Sequence, residues 1–567
     1  MKEAIGGTPA RIEEALTAAE VPGGPLWQED LLSLDDRQAF PEDAAKFLDE
    51  VGAAGFYLDR GPGGLLDLTW FIRLLARRDI TIAVGHAKTF LGAVSVWLAG
   101  NADQRERLAA DILDGAVVSW GLTERGHGGD LLAGGVRAEP TADGWRLTGE
   151  KWLINNATRG HLVCVLARTR PEGGARGFSL FLFDKRKADP RTWSALPKVA
   201  THGIRGADIS GIAFAAAQLG PEALIGAPGT GIETTLKALQ LTRTVCCGLS
   251  LGAVEHAIAL GADYVSRRTL YGKRLADLPN IRHELGRAVA TLHVAEAVVF
   301  AAARLAATAP GEMAVVSAVV KALVPELCQE AISAVGEVLG LRGFLSADEP
   351  YRAFQKLDRD HRIVAIFDGG TAVCRNQLIE HFPLLARTAP GASGNGSPLA
   401  EETQPLGAAR LSVLSRRCSL VDGLDADCDV IARQAAAGEL PERIAAAASA
   451  ARESLRITRA RMAEQSWEPH RIPQEAFDVA RDFELCFAAA AACHLWTRGQ
   501  PRPGDGDALW AAGLWLGGAL AVIEEKLPHR SGTADTHGDA FEALADHLLA
   551  AAGGPVPALF GTGVTPL

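Results

Sequence analysis

The residues of this chain best suited to chemistry gather in one stretch, Arg359-Asp360-His361-Arg362-Ile363-Val364-Ala365-Ile366-Phe367-Asp368-Gly369-Gly370-Thr371. It is an Arg-Asp pair, a short apolar run, and a carboxylate followed at once by two glycines. Glycines let the main chain approach something flat or bulky, with Asp368 at the rim of that approach. A carboxylate beside apolar neighbours is a candidate general base, because partial burial raises a carboxylate's affinity for a proton. The same residues also read as a helix that ends in a glycine cap, with Asp368 in its last turn. The stretch alone leaves both readings open.

The rest of the chain bounds what can position this carboxylate. Its 567 residues suggest two to four domains. The composition is 48% hydrophobic and 22% charged, with only 4 Tyr and 3 Met among many Ala and Leu, which favours helix over sheet. A net charge of −11 argues against nucleic acid or an anionic membrane as the main partner. Nine Cys occur without a Cys-x-x-Cys or Cys/His metal spacing, so no metal site is expected. Cys246-Cys247 fall in a helical pattern and read as buried free thiols, which fits a reducing, cytoplasmic compartment. Met1 to Gly7 lacks a basic-then-apolar signal pattern, and no run of apolar residues reaches the length of a membrane span.

Along the chain, residues 1–117 read as an N-terminal helical domain. At Val117-Val118-Ser119-Trp120-Gly121-Leu122 the period changes to that of strands. Trp145–Thr148, His161–Ala167 and Phe178–Phe183 repeat the signal, which defines a β domain over 118–230. The helical period then returns over 231–387. Helices are expected at Ile232–Leu260, Glu284–Ala307, Met313–Leu339 and Pro350–Phe367, an antiparallel bundle. A Pro/Gly/Ser-rich linker occupies 388–405, and a further helical domain fills 406–567. From 401 onward 15 Lys+Arg face 23 Asp+Glu, so this extension carries −8 of the total charge.

Helices, β domain, helical bundle and extra helices, in that order, resemble the acyl-CoA dehydrogenase superfamily of flavoproteins over roughly residues 30–385. The fold implied is mainly α with a central β domain and a C-terminal four-helix bundle. Several motifs carry the resemblance. Leu122-Thr123-Glu124-Arg125-Gly126-His127-Gly128-Gly129-Asp130 is a strand entering a glycine-rich loop, similar to the loop that meets the flavin and pyrophosphate of FAD. Leu122, Thr123, Gly128 and Gly129 are the implied cofactor residues, with Gly129 where the family has Ser. Trp152 and Ile154 match the pair beside the flavin ring, but Ile154 replaces a hydroxyl residue. Arg268, in Tyr264-x-x-x-Arg268-x-x-Tyr271-Gly272, matches the arginine that serves the FAD pyrophosphate of a neighbouring subunit, which implies at least a homodimer. Pro279 stands where the family has Gln. Gly340 and Gly343 match a second cross-subunit FAD loop, in which Glu337 and Leu341 depart from the pattern.

The resemblance also gives Asp368 a context. The family's base follows its Arg-Asp by eight residues, and Asp360 plus eight is Asp368, one methylene shorter and followed by one extra Gly before Thr371. Thr242 occupies the alternative base position. Arg243 beside it is implied to orient the carboxylate or lower its pKa, with a surface ion pair as the competing reading. Asp368 and Arg243 are the catalytic candidates. Thr371 joins the cofactor residues.

The implied activity is FAD-dependent α,β-dehydrogenation of an acyl thioester, carried on CoA or an acyl-carrier protein, in a specialised member fit for secondary metabolism. Gln240 stands at a common CoA-adenine contact and leaves the carrier open. A flavin monooxygenase or oxidase on the same fold is the alternative, and a non-catalytic homologue is a third. The electron acceptor, whether a partner protein or oxygen, is not specified.

Overall fold

The computed structural model describes residues 9–59, 64–346, 350–387, 410–467, 471–498, 507–527, 537–551 and 554–560. The linker expected at 388–405 lies outside these residues. The chain is mainly helical with a central sheet, as the sequence implies. It groups into two compact units, residues 1–242 with 405–413, and residues 243–404 with 414–567.

In the first unit, helices Glu42–Glu50, Gly64–Arg78, Ile80–Ala99 and Ala102–Leu113 precede the sheet. Their starts are locally encoded. Asp79 accepts from the Ile82 N–H at 2.9 Å, and Asn101 and Gln104 form a reciprocal capping box. The sheet contains β1 (Val118–Gly121), β2 (Arg137–Thr141), β3 (Gly144–Asn155), β4 (Leu162–Arg168), β5 (Phe178–Asp184), β6 (Trp193–Leu196), β7 (Ile209–Leu219) and β8 (Leu224–Ile225). Its order is β6-β7-β3-β2-β4-β5-β8, with β1 paired parallel to β4. Leu147, Val163, Val165, Phe181, Phe183 and Ile212 fill its core. Strands β2, β6, β7 and β8 were not foreseen. In β7, Ala215-Ala216-Ala217 lacks strand propensity, and pairing along β3 supplies the order instead.

In the second unit, Pro279–Thr308 and Met313–Leu339 pack against each other, and Gly261 of the helix Gly231–Arg267 sits against Leu285 and Val335. Pro279 sits in the first helical turn, where a missing N–H costs nothing. The helix expected over 350–367 is shorter than anticipated. It runs from Ala353 to His361, tightens into a 3₁₀ turn over Arg362–Ala365, and gives way to a loop before the helix Thr371–Glu380. Three helices, Ile80–Ala99, Gly231–Arg267 and Pro279–Thr308, are long and apolar enough by length and composition to cross a membrane, contrary to the expectation from the sequence. Most of their apolar windows, 83%, 78% and 100% respectively, are buried within the protein.

A buried ion cluster joins the extension to this unit. Arg375, on Thr371–Glu380, donates to both carboxylate oxygens of Glu484 on Gln474–Arg498 (2.9 and 2.8 Å) and to Glu326 on Met313–Leu339 (2.6 Å). Burial pushes the Glu484 carboxyl up to about 7 despite the guanidinium beside it. Removing one member of such a cluster strands a buried charge. Arg375→Leu is therefore expected to destabilise the protein by about 3–5 kcal/mol, read from urea unfolding; a change under about 1 kcal/mol would contradict this account.

Candidate active site

The loop after the 3₁₀ turn holds Asp368 in a conformation a helix cap does not explain. Asp368 has φ +55° and Gly369 φ +89°, two successive left-handed residues. Asp tolerates this region and Gly prefers it. A Cβ on Gly369 would come within 2.8 Å of Arg243 Nη2, whereas Gly370 has ordinary φ and sits at the start of the next helix. Gly369 is thus the glycine the loop requires. Thr371 opens the helix that follows.

Three side chains hold this loop. Arg243 is buried at 3% exposure, so it is no surface ion pair. Its Nε donates to the Asp368 main-chain carbonyl (3.0 Å) and its Nη1 to Gln377 Oε1 (2.6 Å). It therefore holds the Asp368 main chain, a correction to the expectation that it addresses the carboxylate. Lys321 is fully buried, and its Nζ donates to the carbonyls of Val364 (2.6 Å) and Gly369 (3.3 Å). Cys246 Sγ donates to Asp368 Oδ2 at 3.3 Å, one turn beyond Thr242 on the same helix. Sequence reading missed Lys321 and Cys246. Lys321 left a signal, a lone charge in Val319-Val320-Lys321-Ala322-Leu323-Val324.

The other residues expected at a cofactor in this unit are exposed or backbone-determined. Arg268 is exposed at the end of its helix. Gly340 caps Met313–Leu339 with φ +56° and open space where a Cβ would stand. Gly343 is fixed by packing, since a Cβ would lie 3.1 Å from Phe354. Tyr271, Leu341 and Phe344 nearby in sequence are exposed at 96%, 71% and 83%.

In the first unit, a buried ion pair builds the strap that follows β1. Lys151 Nζ donates to Glu124 Oε1 (2.7 Å) and to the Leu122 carbonyl (2.9 Å). The Glu124 carboxylate also accepts from the Gly135 and Val136 N–H groups. Burial alone would raise the Glu124 carboxyl, but Lys151 and the two N–H groups bring it below its usual range. Burial lowers the Lys151 amine. The Trp152 N–H donates to the Thr123 carbonyl (2.9 Å), which fixes the strap on β3. Beyond it, Gly126 and Gly129 are left-handed (φ +83° and +82°), and Cβ atoms on Gly126, Gly128 or Gly129 would meet open space. A bulge in β3 places Leu153 at φ +57° and turns the Ile154 side chain into the interior, 3% exposed. The Arg125 guanidinium lies 4.3 Å over the Trp152 ring.

Two concavities also belong to this unit. One, partly open to solvent, is lined by Phe56, Leu65, Leu68, Phe90, Trp97 and Leu241 among others. The other includes Tyr57, His86, Asp49 and Asn156. Gln240, also buried, donates to the Ser412 carbonyl at 2.7 Å, so the chain's own segment occupies that amide.

Residues 119–217 match the family model for the acyl-CoA dehydrogenase middle domain, and residues 229–382 that for the C-terminal domain. A probable acyl-CoA dehydrogenase of Mycobacterium leprae (fadE25) is 27% identical over 347 residues, 60% of this chain and 87% of that protein. The solved structure of an acyl-CoA dehydrogenase complexed with FAD from Bacillus anthracis superposes with a TM-score of 0.66 at 18% identity, covering 96% of this chain and 90% of that one. That of the prolyl acyl carrier protein oxidase AnaB gives 0.59 at 16%, covering 66% and 97%. The fold is that of these two solved structures. The chain thus carries stretches that match the acyl-CoA dehydrogenase middle and C-terminal domains.

The stretch before Asp368 has its own pH signature. His361 is buried, donates from Nδ1 to Gln329 Oε1 (2.8 Å) and accepts at Nε2 from the Ser250 hydroxyl (2.9 Å). Burial lowers its pKa from 6.5 to about 4, so the unfolded chain binds more protons between those values. Stability is full above pH 6.5 and is lost as pH falls toward 4. At pH 5 the loss relative to pH 7.5 is expected to be about 2 kcal/mol by urea unfolding. His361→Gln should remove that part of the pH dependence; an unchanged profile would refute the assignment.

Proposed function

We propose that the protein is an FAD-dependent oxidoreductase that removes the α- and β-hydrogens of an acyl thioester, with Asp368 as the base. The observation that carries this reading is the carboxylate held on an over-determined left-handed loop directly before the Thr371 helix, within the stretch that matches the acyl-CoA dehydrogenase C-terminal domain. The residues present fit FAD. The left-handed glycine turn at 126–129 has room ahead of it for a phosphate, and Leu122 to Trp152 form a rigid edge beside it. Exposed Arg268 suits a pyrophosphate, and with Tyr271, Leu341 and Phe344 it suits a second copy of the chain, so we infer a homodimer.

Bound FAD would accept the hydride that leaves the β-carbon. Asp368 takes the α-proton. Arg243 and Lys321 hold the loop so that the carboxylate meets the substrate without first reorganising. The bound state of Gln240 supports a carrier other than one recognised by its adenine, an acyl-carrier protein as readily as CoA. A cytoplasmic setting is supported by nine buried free cysteines. Oxygen as electron acceptor is the second reading. It is supported by the inward-turned Ile154, which offers no hydroxyl beside the flavin, and by the likeness to a carrier-protein oxidase.

Purified protein should carry FAD, and a panel of acyl-CoA and acyl-carrier substrates should bleach it. Asp368→Asn is expected to slow bleaching by about 10²–10⁴-fold while flavin content stays unchanged. Bleaching at the wild-type rate would overturn the base assignment. Rapid reoxidation of the bleached protein by air would favour the oxidase reading.

A further inference from the structure

A lysine deep in an apolar helix needs a reason. Lys321 is completely buried on Met313–Leu339, flanked by residues that are themselves buried core. Desolvating an ammonium is costly unless dipoles or charges replace its water. Among the described residues no carboxylate lies within ion-pair distance of Lys321. Its partners are the Val364 and Gly369 carbonyls, with the Phe367 ring 5.3 Å from Nζ. These three residues bracket Asp368 in sequence. Val364 ends in the 3₁₀ turn, where carbonyls point away from the helix and attract cations. Gly369 carries the second left-handed φ.

The geometry points to Lys321 as a positioning residue for the base, and this rests on the reading of Asp368 given above. Two adjacent left-handed residues are unfavourable for most chains and persist only where the surroundings impose them. Arg243 fixes the Asp368 carbonyl, and Lys321 fixes the carbonyl on either side of it, at 364 and 369. With both held, the direction of the Asp368 Cα–Cβ bond is set. A carboxylate one methylene short of the family's usual base has less freedom to correct a misplaced backbone, so its loop must be held more tightly. Lys321 itself touches neither substrate nor the carboxylate in this arrangement.

The test compares Lys321→Met and Lys321→Arg with wild type. For Lys321→Met we expect kcat to fall by about 10²-fold with little change in KM, because substrate binds as before and the base is misplaced. Amide hydrogen exchange over residues 366–371, measured without substrate, should accelerate while the unfolding midpoint moves little. Lys321→Arg, which keeps a cation and its donors, should recover most of the rate and the protection. Unchanged exchange and unchanged kcat in Lys321→Met would overturn the proposal, as would a loss of stability with protection of 366–371 intact. Should Lys321→Met fail to fold, Lys321→Gln, which keeps an N–H donor, serves as the second variant under the same criteria. The two readings fail separately. If Asp368→Asn keeps full activity while Lys321→Met loosens the loop, the base assignment falls and the clamp on the loop stands.

Discussion

Everything proposed for this protein depends on a loop that resists its own conformation. Asp368 and Gly369 both lie in the left-handed region, between a 3₁₀ turn that has ended and a helix that has not begun. Left to itself such a segment relaxes, because each non-glycine left-handed residue costs on the order of 1 kcal/mol or more. Two cations from two different helices prevent that by binding successive carbonyls at 368 and 369. The inserted glycine is part of the same solution. It adopts the φ the loop needs, and it leaves the space that Arg243 Nη2 occupies. What looked in the sequence like drift away from a family pattern is a coherent local structure.

The first unit uses the same device in another form. Lys151 and Glu124 are nearly or wholly buried and bind each other, but each also binds main chain. The pair is therefore less an ion bridge than a means of tying the strap after β1 to β3 and to the Gly135 turn. Arranged this way, the buried charges exchange lost hydration for several fixed dipoles. The strap then presents a glycine turn whose conformation is decided by its own φ values, with no side chains filling the space ahead. The β3 bulge determines which face residue 154 shows, and that explains how an isoleucine can replace a hydroxyl residue without leaving an apolar side chain at the edge.

Much of this was legible in the sequence. The change of hydrophobic period located the sheet and the helices of the bundle, because it follows from local rules, whereas the Arg-Asp register that singled out Asp368 came from the family resemblance. Three kinds of feature were not legible. Strand β7 contains an alanine run and is ordered by its neighbour. The helix before Asp368 ends at His361 because tertiary bonds from Arg243 and Lys321 draw the following carbonyls away, and no cap residue announces it. Arg243 was recognised, but its partner is a carbonyl, and a residue's hydrogen-bonding target cannot be read from its type. Lys321 was visible as an isolated charge in an apolar helix, a pattern that marks a buried polar obligation before it reveals which one.

The extension also bears on the loop, through one helix. Thr371–Glu380 begins where the loop ends, and Arg375 lies one turn in. Its guanidinium is shared between Glu326 of the bundle and Glu484 of the extension, so the helix is fixed to both. The Glu484 helix shows Glu475, Asp478 and Arg481 to water near its start, but from Phe483 to Leu495 it is buried throughout, with Ala488 to Ala492 fully enclosed. The described C-terminal residues are tied in as well. The Leu559 N–H donates to Glu296 at 2.9 Å, the Pro557 carbonyl meets His293, and Phe560 stacks on Phe300 at 4.8 Å. These contacts all fall on Pro279–Thr308, whose hydropathy would otherwise leave an apolar face uncovered. The extension is thus part of the second unit's core. A loop anchored at one end by Lys321 and at the other by a helix bound to Glu484 depends on that core for its shape.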